Sequence, residues 1–574
     1  MNILGINGDS AHKPTRGSHD SGACLLQDGK IIAAVNEERF SRIKQDEQYP
    51  FESIHYINTQ IPSQSIDKAA LTWLPPFKQK KMLDQLFQHL FQISSNHPIL
   101  RTFYWKQQHS RWGRLLRVNR RELPTKLTHI PIAPVVEHHH CHAASAYYCS
   151  PFSQTDRVLA ITLDGQGDFA AGSVWIGEQG NLNLIERFDA LNSLGNLYAA
   201  FTAHLGFTPN RHEGKIVGLA AHGDPSHITE QLLSKSNLHD WHHLFDAELT
   251  LVTMRPLSAE TKVIMDRICA GCSREDIAAG IQHFSEIAVT TLVEMLCNQH
   301  QTDLLALAGG VFANVKLNQR ILELPCVKNI YIHPNMGDGG LSVGAALVAY
   351  AQQQKGVKPI FMNSCYLGPE VSNIEAEDEL KKNNLPYSVP ENIADQTAKL
   401  LAAGKVVARA AGRMEYGPRA LGNRTLFASC SDSKINQWLN ERLNRTEFMP
   451  FAPIIMEDYA NAYFPKWSPE HLTARFMTVT YDASDLAKKK IPAAIHIDGT
   501  ARPQVLREED NPEVYAILKA YHQRTGIPAL INTSFNMHEE PIVCSAYDAV
   551  RAFQLGNIDA LIVGQYLTCR ASAS

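Results

Sequence analysis

The sequence has no run of about 18 consecutive apolar residues, so no membrane-spanning helix is expected. Its start, Met1-Asn2-Ile3-Leu4-Gly5-Ile6-Asn7-Gly8, has neither a basic leader nor a long apolar stretch, and no signal peptide is read there. Net charge is small, −4 over 574 residues with a pI near 6.7, which argues against a general nucleic-acid coat or a polybasic membrane binder. The eleven cysteines are scattered and odd in number, which suits the reduced thiols of a cytoplasmic protein and not a disulfide framework. Cys269-Ala270-Gly271-Cys272 is a lone pair with no second pair nearby and reads as incidental. There is no solenoid period and no low-complexity tract. What is present is 44% hydrophobic and 20% charged residues, which excludes global disorder. At roughly 150 residues per domain, this length suggests two to four domains.

The chain reads as α/β. Ile3–Asn7 and Ala23–Leu26 are short apolar runs, and the turn Gln27-Asp28-Gly29 leads into Ile31–Val35, a hairpin signal. Helical periodicity at 194–206, 276–300 and 339–354 alternates with the strands Val158–Leu163, Leu304–Ala308 and Asn329–Ile332. A polar stretch over 351–366 marks a domain boundary, giving domains at 1–355 and 363–574. The second opens with Leu367-Gly368-Pro369. It has helices at Ile374–Lys382 and Ile393–Ala403 and strands at Val406–Ala410 and Ala560–Val563. Residues 101–126 hold eight Lys/Arg interleaved with Phe103, Tyr104, Trp105 and Trp112. A nucleic-acid site is one reading of this segment, and a solvated or subunit-facing helix is the favoured one.

Four constellations carry chemistry. In Glu137-His138-His139-His140-Cys141-His142, a helix would put His138 and His142 one turn apart on one face, where two imidazoles can share a metal ion. The alternative is a polar helix start with stacked imidazoles. Asp164 ends an apolar strand before Gly165 and Gly167, and Asp338 precedes a helix. Either could complete a ligand shell or be a turn aspartate. Leu307-Ala308-Gly309-Gly310-Val311-Phe312-Ala313-Asn314 is a strand, two glycines and a helix start, which suits a nucleotide phosphate. The last is Gly412 to Arg424, followed by Arg442, Arg445, Asp498 to Arg502, and Asn532 to Asn536. These arginines, hydroxyls and amides read either as an anion site or as surface ion pairs.

Together these motifs resemble the O-carbamoyltransferases of antibiotic and nodulation-factor biosynthesis. The matching elements run in order through nearly the whole chain. They are His19-Asp20, Glu37 to Lys44, the His138/His142 segment, Glu213 to Ala220, the Gly309-Gly310 and Asp338 turns, Met414 to Arg424, Asn444 to Pro453, Asp498 to Gln504, and Asn532 to Asn536.

The resemblance implies an N-terminal actin-like ATPase-type domain like the metalloprotein of tRNA threonylcarbamoylation. It implies a small C-terminal α/β (α+β) domain like the threonylcarbamoyl-AMP synthase fold. The implied chemistry makes carbamoyladenylate from carbamoyl phosphate and ATP with Mg²⁺, then transfers the carbamoyl group to a hydroxyl of a small-molecule acceptor, a secondary metabolite or sugar. His138, His142, Asp164 and Asp338 would hold one divalent metal. Fe²⁺ is favoured, and Mn²⁺ and Zn²⁺ also suit an N/O shell. His19 would be the base and Lys44 would stabilise negative charge. Gly165, Gly167, Lys215, Gly309, Gly310 and Asn314 would hold nucleotide. Arg419, Arg424, Arg445, Arg502, Asn532 and Ser534 would bind carbamoyl phosphate.

Relatives carry a Lys and an Arg where this chain has Leu443 and Met449, and the loop Ser10 to Gly17 is longer than usual. The alternative enzyme reading is a fused tRNA threonylcarbamoyl-type enzyme, and the non-enzyme reading is a nucleotide-binding scaffold. No nucleic-acid or membrane partner is expected, and a homodimer is allowed.

Overall fold

The computed structural model describes residues 1–8, 19–72, 85, 88–93, 97–102, 127, 129–354, 356–442 and 451–570. Most of the basic segment 101–126, the loop Ser10 to Gly17, Leu443, Arg445 and Met449 lie outside them. The chain forms two compact units. The first comprises residues 1–31, 47–50 and 61–361, and the second 32–46, 51–60 and 362–574. The main crossover at 361/362 lies in the polar stretch 351–366. Two early segments, 32–46 and 51–60, belong to the second unit, which hydrophobic periodicity does not announce.

In the first unit, β1 (Asn2–Asn7) pairs antiparallel with β2 (Gly22–Gln27) and parallel with β4 (Lys68–Leu71). The turn after β2 has Asp28 at φ 49° and Gly29 at φ 82°, as a tight Asp-Gly bend requires. β3 (Lys30–Asn36) then carries the chain into the second unit.

A second sheet has the order β7-β6-β5-β8-β9, from Asn181–Asp189, Ala170–Glu178, Val158–Gly167, Leu304–Ala308 and Asn329–Ile332. Its β6-β5-β8 trio repeats the antiparallel-then-parallel pattern of β2-β1-β4. Helices α1 (His138–Tyr148), α2 (Leu194–His204), α3 (Arg274–His300), α4 (Val315–Leu322) and α5 (Leu341–Ala351) complete what matters for the site.

α5 packs on both α1 and β1. Close approach is enforced by glycine. A Cβ on Gly344 would lie 2.0 Å from the Cys141 carbonyl oxygen, and one on Gly5 would lie 2.0 Å from that of Ser342. α5 therefore lies tight against α1, which brings the Asp338 turn at its head over the histidines.

The second unit is built on a mixed seven-stranded sheet of order β17-β14-β18-β13-β11-β19-β20. Two small pairs, β10-β12 and β15-β16, accompany it. In chain order these strands are β10 (Tyr366–Glu370), β11 (Val407–Ala410), β12 (Arg413–Glu415), β13 (Arg424–Ala428), β14 (Pro453–Met456), β15 (Tyr481–Asp482), β16 (Thr500–Ala501), β17 (Gln504–Leu506), β18 (Ala529–Ser534), β19 (Ala560–Val563) and β20 (Tyr566–Cys569). Helices α6 (Ile393–Ala402) and α7 (Pro512–Thr525) pack together. They share a core with Val407, Phe427, Ile454, Leu530 and Ile562 of the sheet.

The overall class is therefore mixed α/β with several sheets, as expected. No two of the eleven cysteines are joined by a disulfide. Among the described residues, no helix is long and apolar enough to cross a membrane.

Candidate metal centre

α1 begins at a capped terminus. Glu137 accepts the His140 N–H at 2.7 Å, and Asp168 accepts the His138 N–H at 3.0 Å. Arg187 ties the two acidic residues by donating to Glu137 (3.1 Å) and to the Asp168 carbonyl (2.9 Å).

Of the four histidines, two turn away from the other pair. His139 bonds Thr162 Oγ1 (3.0 Å) and the Ala170 carbonyl (3.1 Å), and burial holds its pKa well below the usual range. It is a neutral imidazole with its proton on Nε2, the nitrogen that faces a carbonyl. His140 stacks on Trp175 at 4.5 Å.

His138 and His142 share the remaining face, as the i,i+4 spacing predicts. Their Nε2 atoms are 3.1 Å apart. Asp164 Oδ2 lies 3.1 Å from His142 Nε2 and 3.5 Å from His138 Nε2. Asp338 Oδ1 lies 3.4 Å and 3.6 Å from the same two nitrogens. All four ligand atoms fall within 4.8 Å of one another, and both imidazoles are fully buried.

The spacings test whether a cation fits. Ligands about 2.1 Å from an ion are roughly 3.0 Å apart at 90° and roughly 3.4 Å apart at a tetrahedral angle. The four nitrogen–carboxylate distances and the nitrogen–nitrogen distance, 3.1–3.6 Å, lie within a few tenths of an ångström of those values. The donor set, two imidazoles and two carboxylates, suits a divalent first-row metal.

Within the cluster the carboxylates act on the histidines. Burial alone would lower His142, but Asp164 and Asp338 outweigh it and push its pKa up to about 9. Asp164 is held well below the carboxylate range, because His138 and His142 outweigh its own desolvation.

His19 stands beside this group. Its Nδ1 bonds Asp20 Oδ2 at 2.8 Å, its Nε2 lies 3.6 Å from Asp338 Oδ2, and its side chain is 40% exposed. Desolvation opposes its charge, but Asp338, Asp20 and Asp164 raise its pKa to about 10. Asn7 donates to the Asp338 carbonyl at 3.0 Å, so the end of β1 fixes the aspartate turn.

The glycines expected to hold nucleotide do spatial work here. A Cβ on Gly167 would strike the His138 ring at 2.1 Å. One on Gly309 (φ 106°) would strike the Leu163 carbonyl oxygen at 2.1 Å, and one on Gly310 would lie 2.9 Å from Asp164 Oδ1. Gly165 gives its N–H to Asp164 Oδ1 at 2.6 Å.

The helix after the glycine pair starts later than expected. A 3₁₀ turn, Gly310–Ala313, intervenes and α4 begins at Val315. The Asn314 side chain serves this start: its oxygen caps Leu317 N–H (3.1 Å) while its amide donates to Gln282 (2.8 Å). Lys215 lies half-buried in the first turn of the helix Glu213–Ala220. Lys44 is exposed and belongs to the second unit, whereas His19 belongs to the first.

In the second unit, Arg424 is not a ligand-facing arginine. It is fully buried and donates to the carbonyls of Cys544, Ala411, Gly412, Asn423 and Pro369 at 3.0–3.3 Å. Five main-chain carbonyls thus hold its guanidinium within the framework of the second unit. Asn532 is likewise held by neighbouring groups. It accepts from Thr425 Oγ1 and donates to the Ala420 carbonyl (3.0 Å) and Gln504 (2.6 Å).

That network does bring three expected elements together: the loop of Arg419, the strand of Asn532 and Ser534, and Gln504, two residues beyond Arg502. Arg419, Arg502 and Ser534 are half-buried.

The residues missed in sequence were Glu137, Asp168 and Gln504. Of these only Glu137 carried a local signal, an acidic residue directly before a helical His pair.

Comparison with known proteins gives two family matches. Residues 15–347 match the carbamoyltransferase N-terminus and residues 398–570 the carbamoyltransferase C-terminus. An uncharacterized protein of Methanocaldococcus jannaschii is 32% identical, over 96% of this chain and 98% of its own. Nodulation protein NolNO of Sinorhizobium fredii is 30% identical, over 100% of this chain and 83% of its own. Nodulation protein NolO of Bradyrhizobium diazoefficiens is 30% identical, over 76% and 80%. Among solved structures, component A of (R)-2-hydroxyglutaryl-CoA dehydratase from Acidaminococcus fermentans is 17% identical. It covers 61% of this chain and 98% of its own, with a TM-score of 0.32.

Proposed function

We propose, from the premise that the chain belongs to the carbamoyltransferase family and is a carbamoyltransferase, that it is an ATP-dependent O-carbamoyltransferase. Carbamoyl phosphate would lose phosphate to water, the resulting carbamate would displace pyrophosphate from ATP, and carbamoyladenylate would pass its carbamoyl group to an acceptor hydroxyl, releasing AMP. The acceptor is a small hydroxylated molecule, acted on without a nucleic-acid or membrane partner. The first unit is read as an actin-like ATPase-type fold, which the repeated β2-β1-β4 and β6-β5-β8 patterns favour. The second is read as an adenylate-forming domain.

The observation that carries this reading is the convergence of His138, His142, Asp164 and Asp338 beside His19. Those four residues would hold one divalent ion, Fe²⁺ by family expectation with Mn²⁺ or Zn²⁺ as alternatives, and it would supply Lewis-acid polarisation of a bound carbonyl or phosphoryl oxygen. Asp20 orients the His19 ring through Nδ1 and leaves Nε2 toward the cluster, where it can take the acceptor's hydroxyl proton. The high His19 pKa depends on Asp338, Asp20 and Asp164, which together outweigh burial. With Asp338 and Asp164 neutralised the pKa falls, toward the range in which an imidazole is a base. In the second unit Arg419 and Arg502, with Ser534, supply donors for two highly anionic substrates. Lys44 is assigned by resemblance to stabilise developing negative charge.

The test mixes protein with ATP, Mg²⁺ and carbamoyl phosphate, without acceptor, and looks for pyrophosphate and a carbamoyladenylate mass. Both are expected, and absence of both from folded, metal-loaded protein overturns the reading. Salt-sensitive, tight tRNA binding would favour the threonylcarbamoyl-type alternative. His19→Asn should abolish transfer and leave pyrophosphate release intact. Equal loss of both would refute the division of labour between the units.

A further inference from the structure

Loop 416–423 joins β12 to β13 and carries Arg419, yet its own main chain makes neither helix nor sheet. Gly417 (φ 123°) and Gly422 (φ 117°) give it turns that other residues resist. Side chains hold it in shape. The Glu415 carboxylate accepts the N–H groups of Leu421 (2.8 Å), Asn423 (2.7 Å) and Arg424 (3.1 Å) through a single oxygen. Arg409 donates to the Gly422 carbonyl at 3.0 Å, and Tyr366 donates to that of Leu421 at 2.8 Å.

The leading end is held from far away in sequence. Arg39 Nη2 donates to the Gly417 carbonyl at 2.8 Å. Arg39 and Glu415 are 4% and 3% exposed.

Arg39 is itself anchored within the second unit. It sits on the short helix Glu38–Ser41. Arg42 next to that helix donates to the Pro541 and Ile542 carbonyls at 2.7 Å. Before it, Glu37 accepts the N–H groups of Glu52 (2.9 Å) and Ser53 (2.8 Å) at the head of helix Phe51–Gln60. The segment 37–42 thus acts as a clasp, inserted from the N-terminal part of the chain, whose working end is Arg39 on Gly417.

A buried guanidinium and a buried carboxylate gripping one irregular loop from both ends remove its freedom before any ligand arrives. We propose that Arg39 and Glu415 are positioning residues of the second unit, holding loop 416–423 in the conformation that presents Arg419 to an anionic substrate. The substrate half of this statement rests on the reading that the second unit binds carbamoyl phosphate and ATP.

Hydrogen exchange over 416–424 and steady-state pyrophosphate release, measured on the full chain, test it in Arg39→Met, Arg39→Lys and Glu415→Gln. Arg39→Met and Glu415→Gln should speed exchange of the Leu421 and Asn423 amides about tenfold or more. They should raise the KM for carbamoyl phosphate roughly tenfold, with kcat falling less. Arg39→Lys, which can still donate to the Gly417 carbonyl, should recover most of both. Unchanged exchange in the variants overturns the positioning role, and faster exchange with unchanged KM overturns its link to substrate. If Arg39→Met fails to fold, the near-isosteric Glu415→Gln decides the same question. If the wild-type chain releases no pyrophosphate, the substrate reading falls, while exchange still decides whether these two residues hold the loop.

Discussion

In the first unit His138, His142, Asp164 and Asp338 turn their ligand atoms on one another. In the second, Arg424 is just as charged but gives its donors to main-chain carbonyls, and Arg39 divides its own between the Gly417 carbonyl and the Glu38 carboxylate. Both groups sit among glycines, and both come from motifs that read as binding sites. The difference is what each polar atom faces. A buried charged atom whose partners are other charged side chains can exchange them for a cation. A buried charged atom saturated by carbonyls cannot leave without exposing unpaired acceptors. Family motifs therefore mix two kinds of residue, those that meet ligand and those that hold the loop that does.

The largest effect should come from the first kind. His142→Ala removes a ligand from the centre of the cluster. Bound metal, measured by elemental analysis, should fall to background, and carbamoyl transfer should drop on the order of 10³-fold or more. Full metal content in the variant would break the assignment.

Next, Arg424→Ala and Arg419→Ala should separate cleanly. Emptying a buried site lined by five carbonyls should cost about 3–5 kcal/mol, seen as a markedly lower denaturation midpoint. Arg419→Ala should leave that midpoint nearly unchanged and cut pyrophosphate release. The reverse pattern would exchange their roles.

Gly167→Ala should act on metal affinity without touching a ligand. Its new methyl must displace the His138 ring, and a misplaced ligand should weaken binding roughly 10–100-fold.

The smallest effect is in pH. In the metal-free chain His142 is raised to about 9, above its unfolded value. Its stabilisation is full below about pH 6.5 and is lost as pH rises through 9. Metal requires neutral imidazole and releases protons, so the gain from loading should grow over the same window. Thermal melts of metal-free and loaded protein between pH 6 and 9 should therefore diverge, and parallel curves would refute the cluster's role.

Much of this was legible locally. Leu304–Ala308 and Asn329–Ile332 match their expected bounds, because an apolar run bounded by polar residues leaves little choice of register. The His138/His142 pair was readable from helical spacing, and Asp164 from its place after an apolar strand. The helix start after Gly309-Gly310 was placed too early because a strand followed by two glycines looks the same whether a helix starts at once or after a 3₁₀ turn. What Arg424 and Asn532 bond was not legible, because an arginine or amide among glycines has the same appearance whether it faces solvent or carbonyls.

By itself, then, the sequence determined several of the elements, the class of fold and the four metal-ligand candidates, since short-range periodicity and strand-end position are encoded within a few residues. Only the tertiary structure decided that residues 32–46 and 51–60 belong with the second unit, that Gly167 exists to admit His138, and that Arg39 clasps Gly417. Each of these depends on contacts between segments tens to hundreds of residues apart, for which no local pattern stands.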